Sequence, residues 1–117
     1  MIIRIIRGRV EADRVTCFHE RAREALAEAC PTKGCAWARM GRQVHADRSE
    51  EVVVVTAWRT MAALYDWIGG PDLLGIPMRG CDGEMFSSLD IQHYESFEND
   101  DGLKSEVPED LVLESGS

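Results

Sequence analysis

The sequence has few basic residues and no long apolar run. The valine stretch Val52–Val55 covers four positions, whereas a membrane-spanning helix needs about 20 apolar residues. Met1 to Arg7 is interrupted by arginines and has no small-residue cleavage site, so we expect no signal peptide. Lys and Arg number 13 against 21 Asp and Glu, and binding to nucleic-acid phosphates requires a basic patch. We therefore expect a cytoplasmic protein with neither a membrane nor a nucleic acid as partner.

The negative charge is concentrated at one end of the chain. Residues 98–117 contain seven acidic side chains and one lysine, which is −6 of the formal −8. We expect one domain over 1–97, followed by an acidic C-terminal tail over 98–117. The apolar group 111–113 predicts that the tail docks on the body or on a partner subunit. The alternative is a disordered tail that favours solubility.

Cysteine is also scarce, with four residues at positions 17, 30, 35 and 81. Cys30 and Cys35 have a C-x4-C spacing, but no second closely spaced Cys or His pair completes a metal site. In the absence of a secretory signal, reduced thiols are the default. We expect small, buried apolar side chains and no metal, with a redox pair as the alternative.

The apolar pattern predicts four strands and two helices in the order βαββαβ. The predicted elements are a strand over 1–10, a helix over 13–30 capped by Asp13, strands over 35–45 and 51–58, a helix from Thr60 to Gly69 and a strand over 86–97. This order is typical of an α+β, ferredoxin-like fold, in which a four-stranded antiparallel sheet carries two helices on one face.

The first and third strands are apolar on both faces, so both faces of the sheet should be covered. The helices cover one face, and a second copy of the chain would cover the other, which predicts a homodimer. On the first strand we expect Ile3, Ile5 and Arg7 to face the helices. Arg4 should then face the second copy.

The run Val52–Trp58, the following Ala62-Ala63-Leu64 and then Trp67 resemble the antibiotic biosynthesis monooxygenase (ABM) family. The opening strand and the segment 31–34 are also similar, so the resemblance covers residues 1–97. It implies a homodimer that forms an α/β barrel. It also implies a pocket between sheet and helices in each subunit for a small hydrophobic or aromatic ligand.

Three residues are candidates for catalysis in such a pocket. Arg7 would stabilise a substrate anion, His93 would act as a general base, and Trp67 would form a flat wall against a planar ring. The structural alternatives are a surface arginine, a structural histidine and a core tryptophan. Trp37 and Trp58 are expected to be packing aromatics, and His19 and His45 to be solvated.

The predicted function is therefore a cofactor-independent monooxygenase acting on a small aromatic or polyketide-like substrate. One alternative is a dimeric module that binds a small ligand without catalysis. A further alternative is haem degradation, for which the resemblance implies an Asn on the first strand and a His beyond the second helix. Arg7 stands at the first of these positions, and residues 69–83 contain no histidine, which disfavours haem.

Overall fold

The structure is a computed structural model, and it describes residues 1–30, 33–69, 77–78 and 83–97. Within these ranges the elements follow the predicted order. They are β1 (Ile2–Val10), α1 (Val15–Ala29), β2 (Cys35–Val44), β3 (Glu50–Trp58), α2 (Met61–Ile68) and β4 (Ser88–Glu95). Two short 3-10 turns, Ala12–Arg14 and Gly83–Met85, precede α1 and β4.

The four strands form one antiparallel sheet in the order β2-β3-β1-β4. β1 is central, and its Ile6 lies opposite Val54 of β3 and Ile91 of β4. β2 and β3 are consecutive and pair as a hairpin. The predicted α+β, ferredoxin-like fold is confirmed. Its assembly into a dimeric barrel stays a prediction.

The hydrophobic core lies between the helices and one face of the sheet. The spacing of apolar residues along α1 buries Phe18, Ala22 and Ala29 against this face. The sheet contributes alternate residues to the same cluster, as expected from the period of a strand: Ile6, Val10, Val52, Val54, Trp58 and Ile91.

The predicted orientation of β1 is wrong. Arg4, not Arg7, faces the helices, and Arg4 is completely buried whereas Arg7 is exposed on the open face of the sheet. Ile3 and Ile5 share that open face and are only half-buried. Because isoleucines occupy both faces of β1, alternation alone does not decide which set is inside. The pairing does, since it aligns Arg4 with buried Thr56 of β3.

The sequence predicted the ends of α2 correctly, but not the N-terminal cap of α1. The expected cap at Asp13 is wrong, because a 3-10 turn intervenes and the N-cap of α1 is Arg14, without a side-chain hydrogen bond. The cap at Thr60 is confirmed, since its Oγ1 accepts a hydrogen bond from the Ala63 backbone N–H at 3.1 Å. Gly69 ends α2 with a φ of 95°, as a left-handed C-cap.

Cys30 and Cys35 form a disulfide, so the expectation of reduced thiols is wrong for this pair. The bond joins the end of α1 to the start of β2, where the Cα atoms lie 4.7 Å apart. Cys17 is an exposed free cysteine.

The predicted acidic tail, residues 98–117, lies outside the described residues. None of the described helices is long and apolar enough to cross a membrane.

Candidate functional site

A buried cation lies at one end of the sheet, on its helix-facing side. The Arg4 guanidinium donates from Nε to His93 Nε2 at 3.1 Å, and its Nη1 donates to the backbone carbonyl of Pro77. Arg4 and His93 are cross-strand partners on β1 and β4, so the register of the sheet brings them together. Burial lowers the pKa of Arg4 to about 10, which still leaves the side chain protonated at neutral pH.

His93 is half-buried, and the hydrogen bond from Arg4 defines its tautomer. Because Nε2 accepts from Arg4, the ring proton of the neutral imidazole is assigned to Nδ1. Burial lowers the pKa of His93, and the charge of Arg4 lowers it further. The imidazole is therefore neutral at neutral pH, in the form that can accept a proton.

Two tryptophans stack on the same side of the sheet. The rings of Trp58 on β3 and Trp67 on α2 have centroids 5.1 Å apart and planes inclined by 35°. Trp58 Nε1 donates to Thr56 Oγ1 at 2.8 Å. Trp67 Nε1 is buried and has no hydrogen-bond partner among the described residues, although buried donors are nearly always paired.

These groups form one candidate site, which we call the Arg4–Trp67 site. Its members are Arg4, Thr56, Trp58, Trp67 and His93. Thr56 connects its two halves, because it lies opposite Arg4 in the register and accepts from Trp58. The site combines a buried cation, an N–H donor with no partner in the described part of the chain, an aromatic wall and a neutral imidazole. Such a set suits a planar ligand that carries an anionic oxygen.

The structure brings two of the three predicted site residues to one side of the sheet. His93 lies on the helix-facing side of the sheet and Trp67 of α2 is buried on that same side, whereas Arg7 lies on the opposite face. There Arg7 helps to line a cavity of about 270 Å³ with Gln43, Glu51 and Val53. Sequence reasoning missed Arg4. The pairing of β1 with β4 would have identified Arg4, because it places Arg4 opposite the candidate residue His93.

A second polar cluster lies at the other end of β3 and involves a histidine expected to be solvated. Glu50 accepts from His19 Nε2 at 2.8 Å and from Arg42 Nη1 at 2.7 Å. The Glu50 side chain is only 4% exposed. The expectation for His19 is therefore wrong, because the histidine is half-buried and paired. His45 is also half-buried, and its Nε2 lies 4.0 Å from a carboxylate oxygen of Glu51.

Comparison with known proteins identifies the family. The family model described as antibiotic biosynthesis monooxygenase matches residues 1–74, which is more than half of the chain. The chain belongs to the antibiotic biosynthesis monooxygenase family. The matched range contains Arg4, Trp58 and Trp67, while His93 lies beyond it.

Two solved structures share the ABM fold with this chain. The first is a protein from Deinococcus radiodurans provisionally named an antibiotic biosynthesis monooxygenase. It is 13% identical, with a TM-score of 0.59, over 85% of this chain and 95% of the other. The second is Rv0793 from Mycobacterium tuberculosis, which is 18% identical with a TM-score of 0.57, over 85% and 97% of the two chains. At these identities the likeness establishes the fold. No curated protein matches the sequence.

Haem, which the ABM resemblance raises for one branch, does not fit the residues present. The segment 69–83 beyond α2 contains no histidine. His93 on β4 is engaged by Arg4 through Nε2. Among the described residues, no group of three or more potential metal ligands occurs together.

Proposed function

We propose that this ABM protein is a cofactor-independent monooxygenase that acts on a small aromatic or polyketide-like substrate. One observation supports this most directly. A completely buried arginine lies against a neutral histidine, on the same side of the sheet as a tryptophan whose N–H has no partner among the described residues. Buried ionisable groups with shifted pKa values, such as this arginine and this histidine, cluster at functional sites, and a cation in such a site suits a ligand that carries negative charge.

The proposed reaction uses the substrate as the reductant of oxygen. Loss of a proton from an acidic CH₂ group, or from the OH group of its phenol tautomer, gives a resonance-stabilised anion with negative charge on that carbon. Two successive electron pairs pass from the carbon that lost the proton to O₂. One oxygen atom remains on this carbon as a carbonyl, and the other leaves as water. A CH₂ group and one O₂ thus become a C=O group and one H₂O, so no external electron donor is needed.

The roles follow from the chemistry of each side chain. Arg4 would hold the substrate anion in a site of low dielectric, where a cation stabilises developing negative charge strongly. Trp67 would contact the substrate ring and offer Nε1–H to its oxygen. His93 would take the proton at Nε2 once the Arg4 guanidinium turns to the substrate. We thus assign to Arg4 the role predicted for Arg7, whose own part in catalysis stays a prediction.

We also propose that the working unit is a homodimer. The open face of the sheet presents half-buried Ile3, Ile5, Val53 and Val55, and the exposed aromatic Trp37. A continuous apolar face of this kind favours association. Membership of a family whose proteins are generally dimeric also supports it.

The proposal is tested with anthrone, a tricyclic compound with one acidic CH₂ group. We expect the metal-free protein to consume one O₂ per carbonyl formed, without flavin or haem. Arg4→Met should lower kcat/KM by about 10²–10³, as for loss of an oxyanion-stabilising donor. Arg23→Met is the matched control, because Arg23 is an exposed arginine on α1, and its activity should be unchanged. Arg7→Gln decides the role predicted for that residue. Equal activity of the Arg4→Met and wild-type proteins would contradict the proposal.

One observation favours the second candidate, a module that binds a ligand without turnover. Trp58, Leu64, Trp67, Ile68 and Met78 are all buried in one apolar cluster with the helix-facing side of the sheet. A space so well filled suits a structural or regulatory role. Recovery of an unaltered bound ligand after aerobic incubation would support this candidate over the enzyme.

A further inference from the structure

We propose that His19, Arg42 and Glu50 form a second ligand site, for a small carboxylate with an apolar body. The three residues come from α1, β2 and β3, so only the folded chain brings them together. Glu50 and Trp58 lie at opposite ends of β3. Eight residue steps at ~3.3 Å separate the new site from the Arg4–Trp67 site by about 26 Å.

The central group of this second site is the buried carboxylate of Glu50. Its two oxygens have separate partners, Oε1 with His19 Nε2 and Oε2 with Arg42 Nη1. Burial of a carboxylate contributes little to stability in comparison with apolar packing, even when it is paired. What the carboxylate does provide is orientation, since it holds the histidine and the arginine beside each other.

Both partners keep hydrogen-bonding capacity for a ligand. The Arg42 side chain is 54% exposed and donates to Glu50 through Nη1. Its Nε and Nη2 can therefore donate hydrogen bonds to the carboxylate of a ligand. His19 uses Nε2 for Glu50, which leaves Nδ1 as its second polar atom. The charge of Glu50 is balanced by that of Arg42.

A cavity of about 260 Å³ adjoins these groups. It is lined by His19, Met40, Gly41, Arg42 and Val52. Its polar side is the histidine and the arginine, and its apolar side is Met40 and Val52. The volume lies just below the usual range for ligand pockets of about 300–1,000 Å³, so only a small ligand fits. A monocarboxylate with a single ring or a short alkyl chain matches this size, the single cation and the apolar wall.

The test uses benzoate as the probe and follows backbone amides of Gly41 and Val52 by NMR titration. We expect saturable shifts in the wild-type protein. Arg42→Gln should weaken binding roughly tenfold or more, the typical effect of losing one charged hydrogen-bonding partner. Arg39→Gln removes an exposed arginine from the opposite face of the same strand and should leave the affinity unchanged.

Two further ligands separate charge from shape. Benzamide has the same ring without the charge, and inorganic phosphate has charge without the apolar body, so both should bind roughly tenfold more weakly than benzoate. Arg42→Lys keeps the charge, serves as a second variant if Arg42→Gln unfolds, and should bind with intermediate affinity. Absence of saturation, equal binding of benzamide or phosphate, or equal weakening by Arg39→Gln would each overturn the proposal. None of these outcomes depends on monooxygenase activity.

Discussion

Arg4 and His93 show how one hydrogen bond controls two ionisable groups. The guanidinium is completely buried, and its Nε is satisfied by an imidazole that must be neutral to accept the bond. Protonation of His93 would place a second positive charge 3.1 Å from the first. The pair therefore stabilises the fold only while the histidine is deprotonated.

At this scale we predict a specific pH dependence of the free energy of unfolding. The folded-state pKa of His93 lies below its unfolded value of about 6.5. The stabilisation by the Arg4–His93 pair is therefore complete above the unfolded-state pKa. It decreases as the pH falls through the folded-state pKa. Urea unfolding between about pH 7.5 and 5 should show a steeper loss in the wild type than in His93→Gln, which retains an acceptor for Arg4. Since His19 and His45 are common to both proteins, parallel curves would contradict this assignment.

The residue scale is also where sequence reasoning about the site was weakest. Trp67 and His93 were predicted because an aromatic on an inner helical stripe and a histidine in a strand stand out in the sequence, and their part in catalysis stays a prediction. Arg7 was chosen over Arg4 because β1 has isoleucines on both faces, and a shift of one residue inverts every side chain. The choice depends on pairing with β3 and β4, which no local pattern encodes.

Among the elements, those with strong local signals were predictable. The four valines of β3 and the Thr60 and Gly69 boundaries of α2 placed both elements within one or two residues of their observed ends. The Cys30–Cys35 bond was not expected, because it depends on the end of α1 meeting the start of β2. That proximity is a consequence of packing, and the spacing of the two cysteines does not reveal it.

The element-scale prediction concerns the packing of the segment before β4 against β1. A Cβ on Gly8 would lie 2.5 Å from Phe86 Cδ1 and 2.8 Å from the Ser88 carbonyl oxygen. We therefore expect Gly8→Ala to destabilise the protein by about 1–3 kcal/mol, as overpacking does. Gly41→Ala is the matched control, because its Cβ would have an ordinary contact at 3.4 Å with Val53. Urea denaturation of both variants measures the difference, and equal midpoints would show that Phe86 moves aside freely.

For the whole molecule, the distribution of charge and apolar surface points to association through the sheet. Residues 1–97 carry 14 acidic and 12 basic side chains, so net repulsion between two bodies is small. The helices cover one face of the sheet. On the other face, Trp37 and Tyr94 are 44% and 53% exposed beside half-buried isoleucines and valines. The described residues thus leave this sheet face uncovered, and a second copy would bury it.

We predict that Val55→Glu converts a dimer into a monomer. Val55 lies at the centre of the open face, opposite Ile5 on β1. A symmetric interface would bury the new carboxylate twice without a partner. Dissociation should increase by at least about a hundredfold, which sedimentation velocity at micromolar concentration would detect. Val44→Glu is the control, since Val44 is a 52% exposed valine at the end of β2 on the helix-facing side and should stay dimeric. A wild-type protein that sediments as a monomer would refute dimerisation itself, and a dimeric Val55→Glu variant would place the interface elsewhere.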